Sequence, residues 1–145
     1  MEAESAMLSS AWLSEDAEMI SRLDSRDFVD PFHRWLLATL KTIVAAGEPL
    51  DAVAVTRRIR CDPSAPEDAH ACAMQVLRSH PTTAHKDYYF RVLRIERGRR
   101  YLHRICDEAK QRDFRLPNEP MATFEWLQGH IADAIAKLKE AVETT

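Results

Sequence analysis

The stretch Pro81-Thr82-Thr83-Ala84-His85-Lys86-Asp87-Tyr88-Tyr89-Phe90-Arg91-Val92-Leu93-Arg94-Ile95-Glu96-Arg97-Gly98-Arg99-Arg100, running on to about Arg112, decides the fold. It reads as one helix. Thr82 or Thr83 can cap it, because a hydroxyl accepts a hydrogen bond from a free N–H of the first turn. No proline occurs between Pro81 and Pro117, and Gly98 is the one weak point. At about 1.5 Å per residue such a helix spans roughly 40 Å, more than a compact domain of this size needs. Its far end therefore calls for a packing partner.

The helix shows two patterns. Tyr88, Val92, Ile95, Leu102, Cys106 and Ala109 recur at helical spacing, with Arg99 in the missing slot. Tyr89 and Leu93 widen the stripe near its start. Between them lie Arg91, Arg94, Arg97, Arg99, Arg100 and Arg104, six arginines against Glu96, a local charge of +5. Such a run is an ordinary solvated face, with stems covering apolar neighbours. It is also a candidate basic face (Arg91, Arg94, Arg97, Arg100 and Arg104) for an acidic partner or a phosphate backbone.

The last segment, about residues 121–142, has Phe124, Leu127, Ile131, Ala134, Leu138 and Ala141 at alternating steps of three and four. That is the seam of a helix lying along another at a shallow angle. The expectation is an antiparallel helical hairpin, with Leu102, Cys106 and Ala109 of the long helix receiving the seam. One helix pair cannot cover every apolar position. Tyr88, Val92, Ile95, Ile131, Ile135, Leu138 and Val142 are therefore the candidate partner interface.

Upstream, short helices are expected at residues 2–12, at 14–23 with Ser14 as cap, at 30–46, at 51–60 and at 67–79. Asp30-Pro31 is a cap followed by proline at the first helical position. Phe32, Trp35, Leu36, Leu40, Ile43 and Val44 make the helix it opens the expected central core helix. Gly47 and Pro49 end that helix. Asp51 caps the next, with Leu50 and Val55 spaced as a hydrophobic staple. The overall expectation is all-α: about six helices, a head over residues 1–81 and a hairpin over 82–145.

The chain has 145 residues, enough for a core, and its three glycines are few for a β-rich fold. Net charge is −3, distributed as −5 over residues 1–80 and +2 over 81–145. Nucleic-acid binding is thus expected to be weak or absent. No apolar run reaches membrane-spanning length and no signal sequence opens the chain. Cys61, Cys72 and Cys106 read as reduced thiols of a cytoplasmic protein. No catalytic residue, cofactor or metal is expected. His103 with Cys106, and His70 with Cys72, lack the further ligands of a tetrahedral site. The three tryptophans suit core or interface packing.

Four groups of residues carry a resemblance. They are Glu2-Ala3-Glu4; Asp27-Phe28, Pro31 and His33-Arg34; Gly47-Glu48-Pro49-Leu50-Asp51; and Pro81 with Tyr88-Tyr89, Arg91 and Val92. In order and spacing the chain resembles, over about residues 2–112, the N-terminal domain of the DnaB-type replicative DNA helicase. The resemblance implies a small helical head followed by a long helical hairpin. It implies a collar that pairs hairpin to hairpin and recruits primase, not a motor. Partners would be a second copy of the chain, a primase or a replicative helicase. The chain departs from the family at Gly98-Arg99, where an apolar pair is usual, and in the loop Cys61-Asp62-Pro63-Ser64-Ala65-Pro66. The phosphate-binding loop GxxxxGK[ST] of the helicase motor does not occur in the sequence. The expectation is a non-enzymatic module, either a stand-alone relative or a part of a longer helicase.

Overall fold

A computed structural model describes residues 2–80, 83–115 and 118–143, without the side chains of 114 and 141–143. The Thr82 cap, the side chain of the seam position Ala141 and that of the interface candidate Val142 lie outside the described set. Among the described residues the chain is all-α, with no strand. Its helices are α1 (Glu2–Leu13), α2 (Ala17–Arg22), α3 (Pro31–Ala45), α4 (Ala52–Cys61), α5 (Ala69–Ser79), α6 (Lys86–Arg115) and α7 (Pro120–Glu143). A short 3-10 turn, Ser25–Asp27, precedes α3. Two compact units follow, residues 1–93 and residues 94–145, dividing inside α6.

Local chemistry explains the ends of the elements. Asp30 accepts a hydrogen bond from Phe32 N at 2.8 Å, ahead of Pro31 at the first helical position. Asp51 accepts from Ala54 N at 2.8 Å. At the end of α3, Gly47 takes φ +71° while its N–H bonds Val44 O and Glu48 N–H bonds Ile43 O. That is the left-handed closure glycine makes at least cost. Three expectations are corrected. Asp16, not Ser14, caps α2, bonding Met19 N at 3.0 Å, while Ser14 Oγ turns back to Ser10 O at 2.8 Å. The fifth helix starts at Ala69, not 67, after Asp68 in a left-handed conformation. The long helix starts at Lys86, so Thr83 does not cap it.

α3 packs against α1, α2 and α4 at the centre of the first unit, as expected, and α1 shares that place. From Ala6 to Trp12 every residue of α1 is buried, and the helix packs against α2, α3 and α5. Of its two buried central serines, Ser9 is compatible with burial because its hydroxyl bonds carbonyls. Ser9 Oγ lies 2.9 Å from both Leu77 O and His80 O, at the C-terminal end of α5. The sequence showed an apolar stripe on α1 but not that its serines would also be enclosed. α3 adds Leu36, Leu37, Leu40 and Ile43 to the same core. Each large aliphatic side chain so buried is worth roughly 1.5–3 kcal/mol.

The first two turns of α6 belong to this unit. Phe90 and Leu93 are in the core, and the Arg22 guanidinium sits 4.5 Å over the Phe90 ring. Lys86 Nζ lies 2.8 Å from Asp16 Oδ2 and 3.1 Å from Ser14 Oγ. The Lys86 hydrogen bond, helped by the Met19 N–H, holds the Asp16 carboxyl below its usual range.

Candidate interaction surface

On α6 the covered face differs from the stripe expected from sequence. Among the described side chains of α6, Phe90, Leu93 and Ile105 are buried, whereas Tyr88 is 55% exposed and Cys106 is exposed. Cys106 is thus not a receiving position for the seam; its neighbour Ile105 is the covered one. Val92, Ile95 and Leu102 are half-buried. The reason is geometric. At about 100° per residue, Phe90, Leu93 and Ile105 share one side of the helix, and Tyr88, Val92, Ile95 and Cys106 share the other.

The candidate basic face is not one uniform surface either. Arg91, Arg94, Arg97 and Arg100 are half-buried, and Arg104 is exposed. Arg104 lies 5.1 Å over the Tyr101 ring and 4.0 Å from Glu108, and Arg99 pairs with Glu96 at 3.0 Å. Of the six arginines, Arg99 and Arg104 thus face a carboxylate of their own helix.

In the second unit, α7 meets α6 through polar and aromatic side chains as much as apolar ones. Tyr101 Oη donates to Asp133 Oδ2 at 3.0 Å, and Lys137 Nζ reaches the same carboxylate at 3.0 Å. The Lys137 bond first, and the Tyr101 bond second, keep Asp133 below the ordinary carboxylate range. Lys137 also lies 4.5 Å over the Tyr101 ring. Arg112 covers Trp126 at 4.6 Å, and His130 stacks on the same indole at 4.2 Å while bonding Trp126 O at 2.9 Å. None of these partners was singled out from sequence as a hairpin contact. The signals were the spacings of Asp133 and Lys137, and of Trp126 and His130, each one turn apart.

The seam itself is shared between two faces. Ala134 is buried and Leu138 lies against Gly98, so Leu138 is engaged inside the unit. Phe124 is 62% exposed and Ile135 48% exposed. Phe124, Leu127, Gln128, Ile131, Ala132 and Ile135 line an open, mainly apolar groove of about 500 Å³ on α7. Met121 extends this exposed apolar surface toward the start of the helix.

The first unit carries a second, buried constellation. Glu4 Oε2 accepts from Val29 N at 3.0 Å, and Glu4 Oε1 accepts from Asp30 N at 3.3 Å and lies 3.0 Å from His33 Nδ1. His33 Nε2 lies 3.3 Å from Ser5 Oγ, and Arg34 Nε donates to Phe28 O at 2.8 Å. Glu4, Phe28, Pro31, His33 and Arg34 thus meet where α1 crosses the start of α3. They are among the residues that carry the family resemblance.

The DnaB-like helicase N terminal domain family matches residues 1–95. The chain belongs to that family. Comparison with curated proteins finds no match. The helicase-domain match takes in the whole first unit and ends inside α6. The exposed face of α7 therefore lies beyond the matched residues. The replication context follows from the family, and the part of the helicase found is its N-terminal domain. Among the described residues no helix is long and apolar enough to cross a membrane, and no group of His, Cys, Asp or Glu is arranged to hold a metal.

Proposed function

We propose that this helicase N-terminal-type domain is a non-enzymatic interaction module. It self-associates through the outer faces of α6 and α7 and serves a primase or helicase partner inside the cell. In this reading α6 and α7 form an antiparallel hairpin. Three contacts support that: residue 98 meets 138, 101 meets 133, and 112 meets 126, so numbers rise along one helix as they fall along the other. The observation that carries the reading is the exposed apolar face of α7, with Phe124 and Ile135 uncovered. The candidate contact residues are Tyr88 and Val92 in the first unit and, taken separately, Ile95, Ile131 and Ile135 in the second.

Sedimentation of the wild type at tens of micromolar beside Phe124→Glu/Ile135→Glu tests it. A dimer or larger wild type that the double variant dissociates is the expected result. A monomeric wild type, or a variant of unchanged size, overturns it. The competing reading, nucleic-acid binding by the basic face, would show as tight single-stranded DNA binding that weakens steeply with salt and is lost in Arg97→Glu/Arg100→Glu. The pairing of Arg99 with Glu96 and of Arg104 with Glu108 favours the first reading.

A further inference from the structure

We infer that Gly98 is a notch that fixes which side of α7 faces outward. The inference rests on the self-association proposed above and supplies its geometric cause. By helix propensity alone, Gly98 is a defect in the middle of α6. Its surroundings give it a use. A Cβ built at Gly98 would stand 2.9 Å from Leu138 Cγ and closer still to one Leu138 methyl. Any side chain there displaces Leu138, so only glycine lets the leucine come down onto the backbone of α6.

The neighbouring contacts fix the same rotation. Tyr101, about one turn along from Gly98, holds Asp133 and lies beneath Lys137. Asp133, Lys137 and Leu138 therefore all point toward α6. Leu138 sits at the edge of that covered arc, and Phe124 and Ile135 lie about 40° and 60° further around the helix, on the side away from Asp133 and Lys137. While Leu138 is seated over Gly98, Phe124 and Ile135 remain outward and the apolar groove stays open. Filling the notch unseats Leu138, and with it the contact that sets the rotation of α7 and the surface offered to a second copy.

The test pairs Gly98→Leu with Gly98→Leu/Leu138→Ala in the full chain. Two quantities are read: the self-association constant, and the indole N–H cross-peak of Trp126, assigned by its loss in Trp126→Phe. Trp126 lies between Arg112 and His130 and reports the packing of α7 on α6. Gly98→Leu is expected to shift the Trp126 peak and to weaken association by roughly tenfold or more. The double variant is expected to recover both, and the Trp12 and Trp35 peaks are expected to stay in place. If Gly98→Leu disturbs the Trp12 or Trp35 peaks, Gly98→Ala takes its place, with the same direction of change. Unchanged Trp126 and association in the single variant, or no recovery in the double, overturns the notch. A monomeric wild type overturns the self-association instead, and the Trp126 peak still decides the notch.

Discussion

Glu4 Oε1 and His33 Nδ1 lie 3.0 Å apart in the head, both side chains buried, joining the first helix to the start of the third. The same carboxylate accepts the Val29 and Asp30 amides. Removing one member of a buried polar set strands the others without solvent. Glu4→Ala is expected to lower head stability by about 3 kcal/mol, measured by urea unfolding. Glu4→Gln, which keeps an acceptor for the amides, is expected to lose less. A loss below about 1 kcal/mol for Glu4→Ala would mean the amides find other partners.

The Ser9 hydroxyl serves the end of α5 from inside the core. Ser9→Ala leaves the Leu77 and His80 carbonyls without that donor, and Ser9→Val adds volume to the same close packing. The expected loss is about 1–3 kcal/mol for alanine and more for valine. Thermal unfolding of the two variants, with alanine the more stable, checks the order.

Burial of that kind is what periodicity does not show. Along α1 the apolar residues mark one stripe, but Ser9, Ser10 and Glu4 are also enclosed. Ser9 and Glu4 tolerate it because carbonyls and amides far along the chain complete their hydrogen bonds. On α6 the difficulty is a choice between two apolar stripes. Tyr88, Val92, Ile95, Leu102 and Cys106 make the longer pattern, yet Phe90, Leu93 and Ile105 are the residues covered. Spacing defines both stripes equally well, and only the neighbours decide between them. The caps at Asp30 and Asp51 and the closure at Gly47 were legible because each is set by residues within one turn.

Asp16 gives the fold an acid-sensitive contact. Its pKa is lowered in the folded state by Lys86 and by the Met19 N–H. The unfolded chain therefore takes up the proton at a higher pH than the native one. The contribution to stability is present in full above the ordinary aspartate range and is lost as pH falls through the lowered folded value. Lys86→Met is expected to flatten this acid limb and to leave the limb above pH of about 6 unchanged in shape. Urea midpoints of wild type and variant across the acid range measure it. Parallel curves would exclude the contact as the cause.

Glu15 joins α1 to α2 with φ +49°. Its N–H bonds Trp12 O and the Asp16 N–H bonds Ala11 O, the closure that glycine performs after α3. Glu15→Gly relieves the crowding of a Cβ at positive φ, offset in part by the greater freedom of the unfolded chain. A net gain of about 0.5–1 kcal/mol is expected, and Glu15→Val should cost stability. A destabilised glycine variant would show that the glutamate side chain has a role of its own.

The enclosure of α1 has a consequence in time. Its carbonyl partners at Leu77 and His80 come some seventy positions later in the chain. A nascent α1 thus has no core to enter until α3 and then α5 have left the ribosome, because distant pairings cannot form before their second strand of chain exists. At about 5–20 residues per second that is several seconds with Met7, Leu8 and Trp12 unprotected. The head is consequently an all-or-nothing unit in synthesis. A chain arrested before α5 would leave exposed the helix that the finished fold encloses most fully, and such a product is the one a chaperone or protease would meet first.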